Sequence, residues 1–201
     1  NAENLHFQSQ KDLLMYAWRG YAKAEALLAE GGYDAIHAFF TVPCGYMALR
    51  LGKKYGVPYI VSLRGADVPG FSERFTFLYT FLKPLIRQVW REAAQVIAVS
   101  LGMRRLAEKT APAQPMRVIP NGIALEEFPV ATMRNDDALR VISTSRLTPR
   151  KGLRFLIQAL AELKHENQAR NIEVLLIGDG HESESLEHLA RESGVIEQVQ
   201  F

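Results

Sequence analysis

The segment LRVISTSRLTPRKGLRFLIQALAELKHE, residues 139–166, contains a strand, a short loop and a helix in sequence. Residues 139–145 are β-branched and apolar enough for a strand, and apolar residues recur at helical spacing over 152–166. Arg146, Lys151 and Gly152 lie where the strand ends and the helix begins. This order is the first half of a βαβ unit, so it predicts an α/β fold with a parallel sheet.

The same alternation extends in both directions along the chain. Strands are predicted at 34–40, 57–63, 95–100, 116–120, 172–178 and 199–201, and helices at 12–30, 45–56, 73–93, 101–109 and 184–194. Pro84 predicts a break or kink in the helix over 73–93. Several strands are apolar almost throughout, which predicts a sheet covered by helices on both faces.

A polar segment, ATMRNDD at 131–137, interrupts the pattern before it restarts. We therefore expect two Rossmann-like parts, residues 1–130 and 131–201, each with its own parallel sheet. Residues 1–9 are set aside from the fold, because ENLHFQS differs at one residue from a common protease-cleavage tag.

Composition excludes several classes of protein. A formal net charge of +2 gives no electrostatic case for a nucleic-acid partner. Cys44 is the single cysteine, so no internal disulfide can form and no zinc-site spacing is present, which favours a cytoplasmic protein and predicts no metal site. No apolar run reaches the roughly 18–20 residues of a membrane-spanning helix.

Arg146 and Lys151 are the strongest candidates for a ligand site. Ligands of open parallel sheets bind beyond the carboxyl ends of the strands. A guanidinium and an ammonium at a helix N-terminus, beside free backbone N–H groups, suit a diphosphate. A solvated basic turn is the competing interpretation, because Arg150 and Arg154 add further surface cations.

The loop RGADVPGF, residues 64–71, supplies the second group of candidates. Gly65 and Gly70 allow unusual backbone angles, and Arg64 and Asp67 are expected to face the cleft. An Arg64–Asp67 pair that orders the loop is the alternative.

Two other candidates have weaker support. His37 lies within an apolar strand, where a core histidine is the more common case. Gly178 begins a G-x-G that could let a nucleotide approach the backbone, although this short pattern is common. Dinucleotide-binding, P-loop and nucleophile-elbow motifs are absent from the sequence.

Several of these segments, in order, resemble family 4 retaining glycosyltransferases, which have the GT-B fold. SRLTPRKGLRFLIQAL resembles the family's R-L-x-x-x-K-G segment, and VIPNGIALEEF resembles its interdomain I-P-N-G-[IV]-D-x-x-x-F. LLIGDGHESESLEHLARESGV, IHAFFTVPCGYMA, YIVSLRGADVPGF and VIAVS are similar to other parts of the family.

The resemblance implies transfer of a sugar from a nucleotide diphosphate donor to a glycan, lipid-linked or small-molecule acceptor, with retention. Arg146 and Lys151 fall on the family's donor-phosphate positions. Residues 1–130 would be the C-terminal half of the acceptor-side domain, and residues 131–201 would be the N-terminal half of the donor-side domain. Arg64, Gly65, Asp67, Gly152 and Gly178 are the expected donor- or acceptor-binding residues. No cofactor and no metal ion is expected, because the two cations would stabilise the diphosphate.

The chain also departs from the family pattern. Arg64 stands where the family usually has the histidine of His-Gly-x-x-Asp, Phe39 replaces a second histidine, and Ala124 replaces an aspartate. A Gly-rich loop and an E-x7-E segment of the family are missing. We therefore expect a fragment, truncated at both ends, that does not catalyse transfer alone.

Other functions stay open at this point. A non-catalytic nucleotide-sugar-binding module or partner subunit is the main alternative, and a GT-B sugar epimerase is a third. The segment 71–91 is rich in aromatic and basic residues. It fits either a core helix, which we favour, or a helix at the inner membrane surface.

Overall fold

The structure, a computed structural model, describes residues 10–71, 76–128, 138–166 and 171–201. Within these ranges the elements are α1 (Gln10–Glu30), β1 (Ile36–Phe39), α2 (Tyr46–Tyr55), β2 (Tyr59–Leu63), α3 (Thr76–Glu92), β3 (Gln95–Ala98), α4 (Leu101–Glu108), β4 (Met116–Val118), β5 (Leu139–Thr144), α5 (Leu153–His165), β6 (Ile172–Ile177), α6 (Ser183–Glu192) and β7 (Val199–Gln200). The alternation confirms the α/β class.

The described residues form two compact units. The first unit contains the described residues up to 128, and the second unit contains those from 138 onwards. Residues 1–9 and the predicted boundary segment 131–137 lie outside the described residues. The assignment of residues 1–130 and 131–201 to an acceptor side and a donor side stays a prediction.

The first unit contains a parallel sheet in the order β1-β2-β3-β4. Side chains alternate between the faces of a strand, and one face is fully buried. On that face Val61, Leu63 and Val96 pack against Ile86 and Trp90 of α3 in one apolar core. Burial of such side chains contributes about 1.5–3 kcal/mol each.

The second unit contains a smaller parallel sheet in the order β5-β6-β7. Val174 and Leu176 of β6 are buried against Ile157 of α5 and Leu186 of α6. On the opposite face Ile142 is 63% exposed. Both connecting helices therefore cover the same face of this sheet.

The expectation of helices on both faces is wrong for the described residues. In each unit the strands pair in chain order, as β1-β2-β3-β4 and β5-β6-β7. Right-handed crossovers between consecutive neighbours place all connecting helices on one side. The hydrophobicity of the strands therefore did not show that the second face of each sheet lacks helices in the described part of the chain.

Helix α3 continues through Pro84, so the helix is not broken there, and the alternative of a kink stays a prediction. A proline removes one backbone donor from a helix. Ile86, Val89 and Trp90, which follow it, are completely buried, and this packing keeps the segment helical. No helix within the described ranges is long and apolar enough to cross a membrane.

The ends of β5 and β6 approach each other unusually closely. The Ser145 N–H donates to the Ile177 carbonyl at 3.0 Å, and the Leu147 N–H donates to the Asp179 carbonyl at 2.9 Å. A Cβ atom on Gly178 would lie 1.9 Å from the Ser145 carbonyl oxygen. Glycine at this position is therefore explained by the approach of a neighbouring backbone, and its expected nucleotide contact stays a prediction.

Gly178→Ala is predicted to destabilise the second unit. The added methyl group has no space, so the backbone of the loop after β5 must move, at a cost of about 1–3 kcal/mol or more. Gly122→Ala is the control, since a Cβ there meets nothing within 4 Å. Thermal unfolding followed by circular dichroism measures both, and an unchanged transition in Gly178→Ala would contradict the close packing.

Candidate functional site

The carboxylate of Asp67 is buried where β1 and β2 end. Its Oδ2 accepts hydrogen bonds from the backbone N–H and the hydroxyl of Thr41, at 2.8 and 3.0 Å. Its Oδ1 accepts from the backbone N–H groups of Arg64 and Gly65, at 2.9 and 3.0 Å. Four donors offset the cost of burying this charge. Asp67 therefore fastens the loop after β1 to the loop after β2.

Trp90 extends this network into the core. Its Nε1–H donates to the Thr41 hydroxyl oxygen at 2.8 Å, and both residues are completely buried. The Thr41 hydroxyl thus accepts from the indole and donates to Asp67. Helix α3 is therefore connected, through Thr41 and Asp67, to the loops that follow β1 and β2.

The expected orientation of Asp67 toward a cleft is wrong, because the residue is only 5% exposed. The alternative interpretation was an Arg64–Asp67 pair that orders the loop. Asp67 does order the loop, but not through the Arg64 guanidinium. Asp67 binds the backbone N–H of Arg64. This geometry gives Asp67 a positioning role, and direct contact with a ligand stays a prediction.

Tyr79 of α3 also contacts the loop after β2. Its hydroxyl donates to the Ala66 carbonyl oxygen. Burial, followed by the negative charge of Asp67, raises the pKa of Tyr79 to about 12. The phenol therefore stays protonated and remains a hydrogen-bond donor at neutral pH.

Gly65 confirms the expectation of unusual backbone angles in this loop. Its φ angle is +118°, a region that side chains disfavour. A Cβ there would lie 2.7 Å from the Phe71 ring. The positive φ angle favours glycine at this position, and any larger residue would also require the Phe71 side chain to move.

The guanidinium of Arg64 contacts residues at the carboxyl ends of two other strands, β1 and β4. Its Nη1 donates to the Asn121 side-chain oxygen in the chain after β4. Its central carbon lies 4.6 Å from the ring centroid of Phe39, at the end of β1. Arg64 is half-buried, and these two contacts fix where its charge sits.

His37 is exposed, so its expected place in the core is wrong. Its Nε2 lies 2.8 Å from the Ser62 hydroxyl oxygen, and its ring centroid lies 4.4 Å from that of Phe39. His37 is on β1, an edge strand of the described sheet, and points away from the helix-covered face.

Arg146 and Lys151 lie on the surface loop between β5 and α5. A short 3₁₀ turn, Pro149–Lys151, leads to Gly152, whose φ of +68° turns the chain into α5. No side chain caps the start of α5, and although the Phe155 N–H donates to the Gly152 carbonyl at 2.9 Å, the N–H groups of Leu153 and Arg154 stay available to a ligand. Within the described part of the chain, neither cation has an ion-pair partner.

The structure also contains a concavity of about 440 Å³ on the uncovered face of the second sheet. Its lining includes Arg140, Ile142 and Glu173, of which Arg140 and Glu173 are the second residues of β5 and β6. Catalytic and binding groups of parallel sheets lie beyond the strand ends, so we place the site at the loops instead. No group of three metal-ligating side chains occurs in the ranges that the structure describes.

Sequence reasoning missed three residues that shape the first unit's loops. Thr41 and Trp90 are 49 residues apart in the chain, and no local pattern joins them. For Asn121, the sequence predicts only a turn after a strand. Its position at a strand end was the available signal.

Two family models match the chain. The model of Glycosyltransferase Family 4 matches residues 5–127, which is more than half of the chain. The model of Glycosyl transferases group 1 matches residues 126–201.

One curated relative is the GDP-mannose-dependent alpha-(1-6)-phosphatidylinositol monomannoside mannosyltransferase of Mycolicibacterium smegmatis. It is 32% identical over 126 residues, which cover 58% of this chain and 32% of the relative. The chain therefore spans about a third of the length of that relative.

Solved structures show the same fold. A Burkholderia xenovorans alpha,alpha-trehalose-phosphate synthase in complex with glucose-6-phosphate has a TM-score of 0.63 at 13% identity, covering 96% of this chain and 54% of its own. The pneumococcal O-GlcNAc transferase GtfA with UDP and GlcNAc has a TM-score of 0.62 at 14% identity, covering 90% of this chain and 36% of its own.

Asp67→Ala is predicted to destabilise the first unit by about 3–5 kcal/mol. The change leaves three backbone N–H groups and the Thr41 hydroxyl without their buried acceptor. Asp34→Ala, at an exposed aspartate of the same unit, is the control. Urea unfolding measures the free energies, and a loss below about 1 kcal/mol for Asp67→Ala would show that the network is not structural.

Proposed function

The chain belongs to Glycosyltransferase Family 4, and from that premise we propose that it transfers a sugar from a nucleotide diphosphate donor to an acceptor with retention. The observation that supports this most directly is the pair of Arg146 and Lys151. Both cations are exposed beside the uncapped start of α5, without an ion-pair partner in the described ranges. This is a place where an anion is stabilised.

The proposed chemistry follows from the charge that develops during transfer. As the glycosidic bond breaks, the sugar gains oxocarbenium character and negative charge grows on the departing diphosphate. Arg146 offers a planar fork to two phosphate oxygens, and Lys151 adds a mobile charge. Preorganised charges of this kind contribute several kcal/mol to a transition state. We propose that these side chains act without a metal ion.

The related proteins support this class of donor. The mycobacterial relative is described as GDP-mannose-dependent, and the pneumococcal transferase was solved with UDP and GlcNAc. We therefore propose a nucleoside diphosphate sugar as donor and a glycan, lipid-linked or small-molecule acceptor. The donor part of this proposal depends on the second unit. There Gly152, with its positive φ angle, leads the chain from the loop with the two cations into α5.

We also propose peripheral contact with the inner face of the membrane, through α3. Phe77 and Phe81 are 80% and 67% exposed, and their rings meet edge to face at 5.1 Å. Lys83 is exposed on the same helix, which suits anionic headgroups. The core-helix interpretation is right for Tyr79 and Trp90, which are buried. Arg74 and Phe75, within the same segment, lie outside the described residues.

Arg146→Ala and Lys151→Ala are each predicted to weaken binding of UDP or GDP by about 1.5–3 kcal/mol, the range for a hydrogen bond to a charged group. Arg191→Ala, an exposed arginine at the end of α6, is the control and should bind as the wild type does. Isothermal titration calorimetry measures the affinities. Unchanged affinity in both alanine variants would contradict the proposed phosphate site.

Replacing Phe77 and Phe81 by serine is predicted to reduce binding to anionic liposomes, because the exposed rings would enter the headgroup region. Phe155→Ser, at a phenylalanine 66% exposed in the second unit, is the control. Sedimentation at low and physiological salt measures the bound fraction. Absence of wild-type binding at low salt, where attraction is strongest, would rule out this contact.

A further inference from the structure

The guanidinium of Arg64 is a fixed positive charge at the carboxyl ends of the first unit's strands. The backbone of Arg64 is held by Asp67, and its side chain is held by Asn121 and the Phe39 ring. A side chain restrained at both ends loses little conformational entropy when it binds a ligand. Its position is that of a recognition group.

The guanidinium of Arg64 has no ion-pair partner within the described part of the chain. The neighbouring carboxylate of Asp67 keeps its negative charge, but its oxygens accept hydrogen bonds from Thr41 and from the backbone N–H groups of Arg64 and Gly65, not from the guanidinium. No carboxylate forms an ion pair with Arg64 among the described residues, and its Nε–H is buried without a hydrogen-bond partner there. A half-buried guanidinium without an ion-pair partner is stabilised when it binds an anion.

The groups around this charge suit a sugar. Phe39 presents a ring on one side, and His37 and Ser62 form a hydrogen-bonded pair beside that ring. Ser62 is buried, so of this pair the exposed His37 is the one that can meet a neutral hydroxyl group, whereas Arg64 offers a cationic fork for two oxygens of one anionic group.

We propose that Arg64 binds an anionic group, a phosphate or a carboxylate, on the acceptor, and so selects charged acceptors over neutral ones. This inference rests on the proposed transferase function and names its acceptor class. Arg146 and Lys151 of the second unit take the phosphates of the donor. Arg64 of the first unit takes the anion of the acceptor. The two anion sites therefore belong to different units of the chain.

The test is an NMR titration of the ¹⁵N-labelled 201-residue chain with glucose 6-phosphate, glucuronate and glucose. Arg64→Gln removes the charge, Arg64→Lys keeps the charge without the fork, and Arg105→Gln alters an exposed arginine on α4 as a control. UDP and GDP are titrated in parallel. The parallel titration separates this inference from the donor site, and thermal unfolding of each variant shows that it is folded.

We expect the two anionic sugars to shift the amides around Phe39, Arg64 and Asn121. Their affinity should fall at least about tenfold in Arg64→Gln, less in Arg64→Lys and not in Arg105→Gln, as removal of a charge-assisted bond requires. Nucleoside diphosphate binding should be the same in all these variants. Equal affinity of wild type and Arg64→Gln for glucose 6-phosphate, or preference for glucose over both anions, would overturn the inference.

Failure of this inference and failure of the proposed function have different signatures. Nucleoside diphosphate binding that depends on Arg146, without any response of the Arg64 region to anionic sugars, overturns only the acceptor class. Loss of both responses overturns the inference together with the donor site.

Discussion

The buried carboxylate of Asp67 fixes the strand ends of the first unit. It receives four hydrogen bonds from the two loops that follow β1 and β2, and Trp90 connects the same network to α3. Phe40, just before Thr41, has a φ angle of +72°, a strained value that surrounding contacts must maintain. The position of Arg64 follows, since its own N–H is one of the four donors.

Among its described residues, the second unit positions its loop without a buried charge. The backbone after β5 pairs with the backbone after β6 at a distance that only glycine permits at Gly178 and Gly180. Leu147, between the exposed cations of this loop, is buried in the core. In both units, internal contacts hold the backbone and leave cationic side chains at the strand ends. The entropy cost of binding a ligand is then small, because the backbone of these loops is already ordered.

Much of the fold could be predicted from the sequence, because alternation of strand and helix periods reports burial directly. The loop candidates at Arg146 and Arg64 followed from the same pattern, since parallel strands end at a common edge. Contacts between distant residues could not be predicted. Thr41 and Trp90 are joined only by tertiary packing, and the exposure of His37 depends on which strand forms the edge of the sheet. Hydrophobicity also gave no means of deciding which sheet face the helices cover.

We propose that the loop between β5 and α5 binds the diphosphate of a nucleotide sugar. Amide hydrogen exchange of the chain with and without UDP or GDP, resolved by residue, tests it most directly. We predict slower exchange at the amides of Arg146, Leu153 and Arg154, because a bound phosphate would accept their hydrogen bonds. Protection confined to the first unit, or no protection at saturating nucleotide, would contradict it.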